Sequence, residues 1–165
     1  MGAWGMHQTN SLVQEISQKL LAKHWLLGVA ESCTAGGLAY ALTEIPGSSA
    51  WFERGFVTYS NLAKEDMLAV PHSILAQYGA VSAETAKAMA EGVLQMSPAD
   101  ISLSITGIAG PDGGSQEKPV GTVWFACAHK GTNTITQLHH FTGNRHEIRV
   151  AAIDTALTLL LNTLS

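Results

Sequence analysis

The sequence predicts a single α/β domain in which a mixed β-sheet lies between helices. The chain has 165 residues, which is enough for one well-buried domain and short for two. Hydrophobic residues make up 46% of it and charged residues 13%, a composition typical of a compact core. Apolar strand-like runs alternate with helical patterns, and no repeat or linker interrupts them. We therefore expect one domain over residues 11–165, preceded by an extension, Met1 to Asn10, whose order the sequence leaves open.

The first 60 residues predict two helices that alternate with two strands. Ser11 followed by Gln14 matches a capping box, and apolar residues then recur at helical spacing. A short apolar run predicts a buried strand, and Pro46 ends the helix that follows it. An aromatic and β-branched stretch predicts the second strand. The predicted elements are a helix over 11–24, a strand over 26–31, a helix over 34–44 and a strand within 51–60.

The rest of the chain predicts three helices and three strands. Asn61 and Ser82 are N-cap candidates, Pro71 ends the helix after Asn61, and Asn144 with Glu147 matches a second capping box. Two strands joined by a short turn predict an antiparallel pair, so the sheet should be mixed. The predicted elements are helices over 61–70, 82–97 and from 144 onward, and strands over 100–105, 120–129 and 134–141, with a glycine-rich loop over 106–119.

Charge and cysteine content exclude several classes of protein. The formal net charge is −4, and no cluster of lysine or arginine provides a surface for nucleic acid. The first ten residues lack the basic and apolar parts of a secretory signal, and no segment is apolar for long enough to span a membrane. Cys33 and Cys127 are far apart and form no CxxC pattern, which favours a reduced compartment. We therefore expect a soluble cytoplasmic protein that binds neither nucleic acid nor membrane.

Ser32 lies where the first predicted strand gives way to a glycine-containing helix start. Reactive groups of α/β proteins are often exposed at such junctions, and Gly36 allows a ligand to approach the backbone closely. A hydroxyl beside free backbone N–H groups could act as a nucleophile whose oxyanion is stabilised. It could equally be a helix-capping serine, and position alone favours that second interpretation.

A nucleophilic serine needs a base, and Lys64 is the candidate on a short helix with apolar neighbours. If its amine faces inward, burial lowers its pKa and the neutral amine can accept a proton. A lysine on a solvated helix face is the alternative. The histidines are weaker candidates, because His139 and His140 are adjacent on a strand and point to opposite faces. No histidine spacing typical of a metal site is present, so we expect no metal.

The glycine-rich loop begins directly after a predicted strand, as Ser32 does. Thr106, Gly107 and Gly110 could hold an anion through backbone and hydroxyl groups, although the loop lacks the ending of a Walker A motif. Arg145, in the first turn of the last helix, could be a fixed cation for a phosphate or an ordinary surface arginine.

Five segments together resemble the CinA C-terminal domain family, whose characterised activity is nicotinamide-nucleotide amidase. They occur in the family's order and at similar separations, and the resemblance runs from about Leu26 to the final helix. It implies a three-layer α/β/α fold with a mixed, mostly parallel sheet. The segments are AESCTAGGLA, PGSSAWFERGFVTYSNLAK, GAVS, SITGIAGPDGGSQEKPVGTVWFA and GNR.

The family resemblance also implies a reaction and its residues. The reaction is hydrolysis of the carboxamide of nicotinamide mononucleotide to nicotinate mononucleotide and ammonia, in pyridine-nucleotide recycling, by a homodimer without metal or other cofactor. The family's nucleophile falls on Ser32 and its base on Lys64, while Tyr59, Thr106 and Arg145 fall on supporting positions. Tyr59 would then hydrogen-bond within the dyad, and Thr106 would position the substrate or the base.

Substrate contacts follow from the same mapping. The backbone N–H groups near Cys33 and Thr34 are our candidates for holding the oxyanion. Arg145 and the glycine loop would bind the 5′-phosphate and so orient the reacting end. Two alternatives remain open: a nucleotide-binding or regulatory module without activity, and an amidase for another small amide. An ammonia-release assay on several amides separates all three.

Overall fold

The computed structural model describes residues 3–165, with side chains from residue 8 onward; Met1 and Gly2 lie outside the described residues. This part of the chain contains six α-helices and five β-strands. In chain order they are α1 Ala3–Lys23, β1 Leu27–Glu31, α2 Gly37–Leu42, β2 Phe52–Val57, α3 Asn61–Leu68, α4 His72–Tyr78, α5 Ala83–Met96, β3 Ile101–Gly107, β4 Thr122–His129, β5 Ile135–His140 and α6 Arg145–Leu164.

The five strands form one mixed sheet in the order β2-β1-β3-β4-β5. Strand β1 pairs in parallel with β2 and β3, whereas β4 pairs antiparallel with β3 and β5. Four strands therefore run in one direction and only β4 is reversed. Glu31, the last residue of β1, is in register with Val57 of β2 and Ile105 of β3. The carboxyl ends of these three strands consequently meet at one edge of the sheet, where α/β proteins commonly bind ligands.

Helices cover both faces of the sheet and complete the expected three layers. Helix α6 packs on β3 and β4 beside α1 and α2, while α5 packs on β1, β3 and β4 beside α3 and α4. The larger apolar cluster lies on the α1–α6 side and the smaller one beneath α3 and α5. Parallel strands covered on both faces have apolar residues at nearly every position, and β1 and β3 are buried over almost their full length.

Two predicted helix starts are wrong. Helix α1 begins at Ala3, so Ser11 lies inside the helix and is not its N-cap. The Thr9 hydroxyl donates a 2.6 Å hydrogen bond to Asp154 of α6, which anchors the early turns of α1 to the domain. Helix α2 begins at Gly37 and not at Thr34, because Ala35 and Gly36 have positive φ angles of 48° and 98° that no α-helix contains.

Other helix starts agree more closely with the sequence. Ser82 caps α5 through the amide of Thr85, and Asn144 with Glu147 forms the complete capping box of α6. The cap of α3 is Ser60, one residue before the predicted Asn61. Helix α4, which begins directly after Pro71, was not predicted from the sequence. None of the described helices is both long and apolar enough to cross a membrane.

Candidate active site

The carboxyl ends of β1, β2 and β3 surround a cavity of about 280 Å³. Ser32 directly follows β1, Tyr59 follows β2, and Thr106 lies at the end of β3. The parallel register of the three strands therefore brings these distant segments to one place. The cavity is lined by Ser32, Cys33, Tyr59, Lys64, Ala80, Val81, Thr106, Gly107, Ile108, Ala109, Gly110, Asp112, Gly113 and Arg145.

The Lys64 amine lies against the Ser32 hydroxyl. Lys64 Nζ is 3.1 Å from Ser32 Oγ, which is hydrogen-bonding distance. Ser60 caps α3 and fixes the start of this helix. Lys64 and Leu68 lie on its buried face, and Lys64 is only 1% exposed. The interpretation of Lys64 as a solvated surface residue is therefore excluded by its position.

Two main-chain carbonyls hold the amine in place. Lys64 Nζ donates hydrogen bonds to Thr58 O at 2.9 Å and to Tyr59 O at 3.2 Å. None of the ion pairs among the described residues involves Lys64, and burial lowers its pKa from 10.5 to about 8. A neutral amine has two N–H donors and one lone pair. With two N–H groups on the carbonyls, the third position of Nζ faces Ser32 Oγ; it carries a donated proton in the ammonium form and the lone pair in the neutral form. Ser32 Oγ itself donates to Tyr59 O at 3.4 Å.

The turn after Ser32 is compact, and two of its amides bond to no main-chain carbonyl; the Cys33 N–H contacts the thiol of its own residue. Its internal hydrogen bonds run from Ala35 N to Ser32 O at 3.1 Å and from Gly37 N to Thr34 O at 2.9 Å. The amides of Cys33 and Thr34 take no part in the main-chain hydrogen bonds of the described residues. These two N–H groups, next to the nucleophile, are thus available to a developing oxyanion.

Glu31, immediately before the nucleophile, was not among the predicted site residues. Its carboxylate accepts hydrogen bonds from Leu38 N at 2.8 Å and Ala39 N at 3.0 Å, at the start of α2. The sequence signal was a carboxylate at the end of an otherwise apolar strand. The free N–H groups expected at the start of α2 are therefore occupied by the protein itself.

The Cys33 thiol is buried at the wall of the cavity. Burial is the main cause that raises its pKa to about 11, although the nearby Arg149 acts in the opposite direction. The thiolate is the reactive form of cysteine, so at neutral pH this thiol is a poor nucleophile. The Ser32 hydroxyl, with its adjacent amine, is the better equipped of the two.

Tyr59 and Thr106 both line the cavity and make different contacts. Tyr59 hydrogen-bonds with Lys64 and Ser32, as expected, through its main-chain carbonyl, whereas the residue is 62% exposed and its Oη is 3.5 Å from Arg145 Nη2. The Thr106 hydroxyl donates to Ala80 O at 2.8 Å. Thr106 therefore holds the segment before α5, and its hydroxyl does not contact Lys64.

Arg145 lines the cavity and contacts the predicted glycine loop. Its Nη1 donates to Gly110 O at 2.7 Å, and Gly107 and Gly110 are both lining residues. Asp112 of the same loop also lines the cavity, although the sequence analysis did not single it out. No ion pair neutralises Arg145 within the described part of the chain.

Two predicted substrate-binding residues lie outside the cavity lining. Thr34 is 1% exposed, and its buried hydroxyl has no hydrogen-bond partner among the described residues. Gly36 is the N-cap residue of α2, and neither it nor Ala35 before it is part of the lining. The turn therefore leaves the cavity wall after Cys33.

Comparisons with known proteins agree on one family. The family described as CinA C-terminal domain matches residues 9–164 of the chain. A protein of Enterobacter agglomerans named nicotinamide-nucleotide amidohydrolase PncC is 54% identical over 143 residues, which cover 87% of each chain. Its namesake in Escherichia coli strain K12 is 52% identical over 149 residues, or 90% of each chain.

Solved structures show the same likeness. The crystal structure of the competence/damage inducible protein CihA from Agrobacterium tumefaciens matches with a TM-score of 0.90 and 46% sequence identity. The match covers 94% of this chain and 96% of that chain.

Proposed function

Because this chain belongs to the CinA C-terminal domain family, we propose that it hydrolyses the carboxamide of nicotinamide mononucleotide to nicotinate mononucleotide and ammonia. Relatives at 52–54% identity over most of the chain carry the name nicotinamide-nucleotide amidohydrolase. The observation that carries the proposal is the 3.1 Å contact between a buried lysine amine and a serine hydroxyl at the wall of a cavity. A nucleotide-binding module without activity would not need this pair.

Acylation begins with the neutral form of Lys64. With a pKa of about 8, about a tenth of the molecules contain the neutral amine at pH 7. This amine takes the Ser32 proton as Oγ attacks the carboxamide carbon, and the amides of Cys33 and Thr34 donate to the oxyanion. The ammonium of Lys64 then protonates the leaving nitrogen, so ammonia departs and an ester to Ser32 remains.

Deacylation uses the same groups, with water as the nucleophile and Ser32 Oγ as the leaving group. Lys64, neutral again, removes a proton from water as the water oxygen attacks the ester carbon. The resulting ammonium returns the proton to Ser32 Oγ, and nicotinate mononucleotide is released. Throughout the cycle, the carbonyls of Thr58 and Tyr59 keep two N–H groups of the amine in place.

In this proposal, the energy of substrate binding comes from Arg145 and the glycine loop, which both line the cavity. Arg145 is not neutralised by an ion pair among the described residues, and its guanidinium has the geometry for a phosphate. The glycine loop lets backbone groups approach the nucleotide closely. Holding the phosphate there places the pyridinium carboxamide at Ser32, and the electron-withdrawing ring makes that carbonyl easier to attack.

An ammonia-release assay with nicotinamide mononucleotide tests the proposal. We expect turnover by the wild-type protein and loss of turnover in Ser32→Ala, with circular dichroism unchanged. Cys33→Ala is the matched control, because it removes the adjacent side chain and should retain most activity. Near-normal ammonia release by Ser32→Ala would refute the serine mechanism.

A panel of amides separates the remaining alternatives. Nicotinamide, its riboside and the dinucleotide lack a terminal 5′-monophosphate on the same ribose, so each should be hydrolysed less efficiently than the mononucleotide. A different best amide would refute the substrate assignment, and binding of the mononucleotide without ammonia release would identify a binding module.

The proposal also includes the setting of the reaction. Both cysteines of the chain are buried and free, which suits a reducing cytoplasm where pyridine nucleotides are recycled. The homodimer implied by the family resemblance stays a prediction.

A further inference from the structure

We infer that Glu31 is a positioning residue, whose carboxylate fixes the oxyanion-binding amides of the nucleophile turn by clamping the start of α2 to the end of β1. The inference rests on the proposed function. It concerns how the turn of residues 32–36 keeps its shape, and it assigns a task to a buried carboxylate that the reaction itself does not use.

The clamp satisfies donors that nothing else reaches. The first four N–H groups of a helix have no partner inside the helix, and Gly36, the N-cap of α2, has no side chain to cap them. Gly37 N donates to Thr34 O, and Tyr40 N makes the first bond inside the helix, to Gly36 O. The two donors between them, Leu38 N and Ala39 N, both bond to the carboxylate of Glu31.

The turn between these anchors is under conformational strain. Ala35 has a φ of 48°, in the left-handed region that residues with a Cβ avoid, and Gly36 follows with a φ of 98°. Such a conformation persists only where the surroundings impose it. Glu31 is 1% exposed and bonds across the whole turn, so it supplies this constraint at the two ends of the segment.

The consequence concerns which amides can meet the substrate. The N–H groups at the start of α2 are already occupied, so the amides of Cys33 and Thr34, which bond to no main-chain carbonyl, are the remaining donors of the turn after Ser32. The direction of these two N–H bonds depends on the shape of the turn. If the clamp is lost, the turn relaxes, and stabilisation of the tetrahedral intermediate should fall while ground-state binding at Arg145 is retained.

Two substitutions of Glu31 remove its hydrogen bonds to different extents. Glu31→Gln has the same shape but only one oxygen, so it can accept from one of the two amides; Glu31→Ala accepts from neither. We expect kcat for nicotinamide mononucleotide to fall about 10-fold in the first and about 100-fold in the second. KM should change less than about 2-fold, since the phosphate contacts are intact. Glu44→Gln, an exposed carboxylate near the other end of α2, is the matched control and should leave both constants unchanged.

A transition-state mimic separates positioning from a general structural role. Pyridine-3-carbaldehyde mononucleotide can add Ser32 Oγ to its carbonyl and form a tetrahedral hemiacetal. Its affinity should weaken in Glu31→Gln by the same factor as kcat. The affinity for nicotinamide mononucleotide itself, measured on a Ser32→Ala background, should not change.

Unaltered kcat in Glu31→Gln would overturn the inference, and so would equal weakening of substrate and aldehyde binding. If Glu31→Ala does not fold, the Glu31→Gln measurements alone decide. Absence of hydrolysis by the wild-type protein would instead refute the proposed function. Wild-type-like Glu31→Gln together with inactive Ser32→Ala would refute only the role of Glu31.

Discussion

The chemistry of Lys64 is determined by its surroundings and not by its residue type. Its amine is buried, has two carbonyl acceptors, and lies outside the ion pairs of the described residues. Burial without a counter-charge disfavours the ammonium form, and this lowers the pKa to about 8. A lysine is thereby made available as a proton acceptor close to neutral pH.

The pH dependence of hydrolysis should report this amine. Since the base must be neutral, kcat/KM should rise with pH through an apparent pKa of about 8 and then level off. Lys64→Arg keeps a positive charge at all accessible pH values, so we expect activity to fall at least about 100-fold with no such rise. Lys87→Arg, an exposed lysine on α5, is the control. A wild-type profile that falls across this range would contradict the role of Lys64 as base.

We expect Arg145 to determine how much the phosphate contributes to substrate binding. Loss of a charged hydrogen-bonding partner for phosphate should raise KM for nicotinamide mononucleotide about 10- to 100-fold in Arg145→Ala. The riboside has no phosphate, so its kcat/KM should change little in the same variant. Arg54→Ala, which removes an exposed arginine paired with Glu53, is the matched control. Equal losses on both substrates would show that Arg145 does not act through the phosphate.

Some residues of this site could be identified as candidates from the sequence, and others could not. Ser32, Lys64 and Arg145 were candidates because of their side-chain chemistry, the family resemblance favoured them over the ordinary interpretations, and all three line the cavity. The carbonyls of Thr58 and Tyr59 could not be identified, because every residue has a carbonyl and only the fold decides which ones meet the amine. Tyr59 was expected to hydrogen-bond within the dyad, and it is its main-chain carbonyl that does so.

At the scale of elements, strands were predictable and helix boundaries were less so. The apolar runs that form β1 and β3 are buried on both faces, so their signal is continuous. Helix α4 has only seven residues and starts beside a proline that suggested an ending, so its signal was too short to detect. The short α2 was overestimated because the left-handed residues before it have no unambiguous mark in the sequence.

The packing of α5 on α3 depends on a single glycine. A Cβ added at Gly92 would lie 2.2 Å from Leu68 O and 3.0 Å from Leu68 Cβ, so the helices would have to separate. We expect Gly92→Ala to lower the free energy of unfolding by about 1–3 kcal/mol, despite the higher helix propensity of alanine. Gln95→Ala, an exposed position on the same helix, should stay within about 0.5 kcal/mol. Urea denaturation measures both, and a stabilised Gly92→Ala would contradict the close approach.

At the scale of the whole molecule, the fold class and the place of the site were accessible from sequence. A mixed sheet followed from the predicted antiparallel pair, and the site was expected at strand ends. The register that aligns Glu31, Val57 and Ile105 was not accessible, because pairing between distant strands has no local signal. It is this register that brings Ser32 and Lys64 within 3.1 Å.

Burial of Lys64 should also affect global stability. Its pKa is about 8 in the folded protein and near 10.5 in the unfolded chain, so the unfolded state binds more protons between these values. The contribution of Lys64 to stability therefore rises with pH across this window and is lost as pH falls toward 8. Relative to Lys64→Met, the wild-type protein should gain on the order of 3 kcal/mol from pH 8 to 10.5.

Urea denaturation at several pH values measures this difference. The groups that titrate in both proteins, including the two cysteines, cancel in the comparison. A constant difference between the two proteins over the window would show that the folded lysine has an ordinary pKa.

Both native thiols are withdrawn from solvent, Cys33 in the nucleophile turn and Cys127 in the core, and burial raises the pKa of each to about 11. Maleimide dyes attack exposed thiolates, so they should leave the native chain nearly unlabelled. A cysteine introduced on the surface would then be the sole attachment point for a fluorophore, without prior removal of either natural one. The enzyme is thus ready for single-site labelling as it stands.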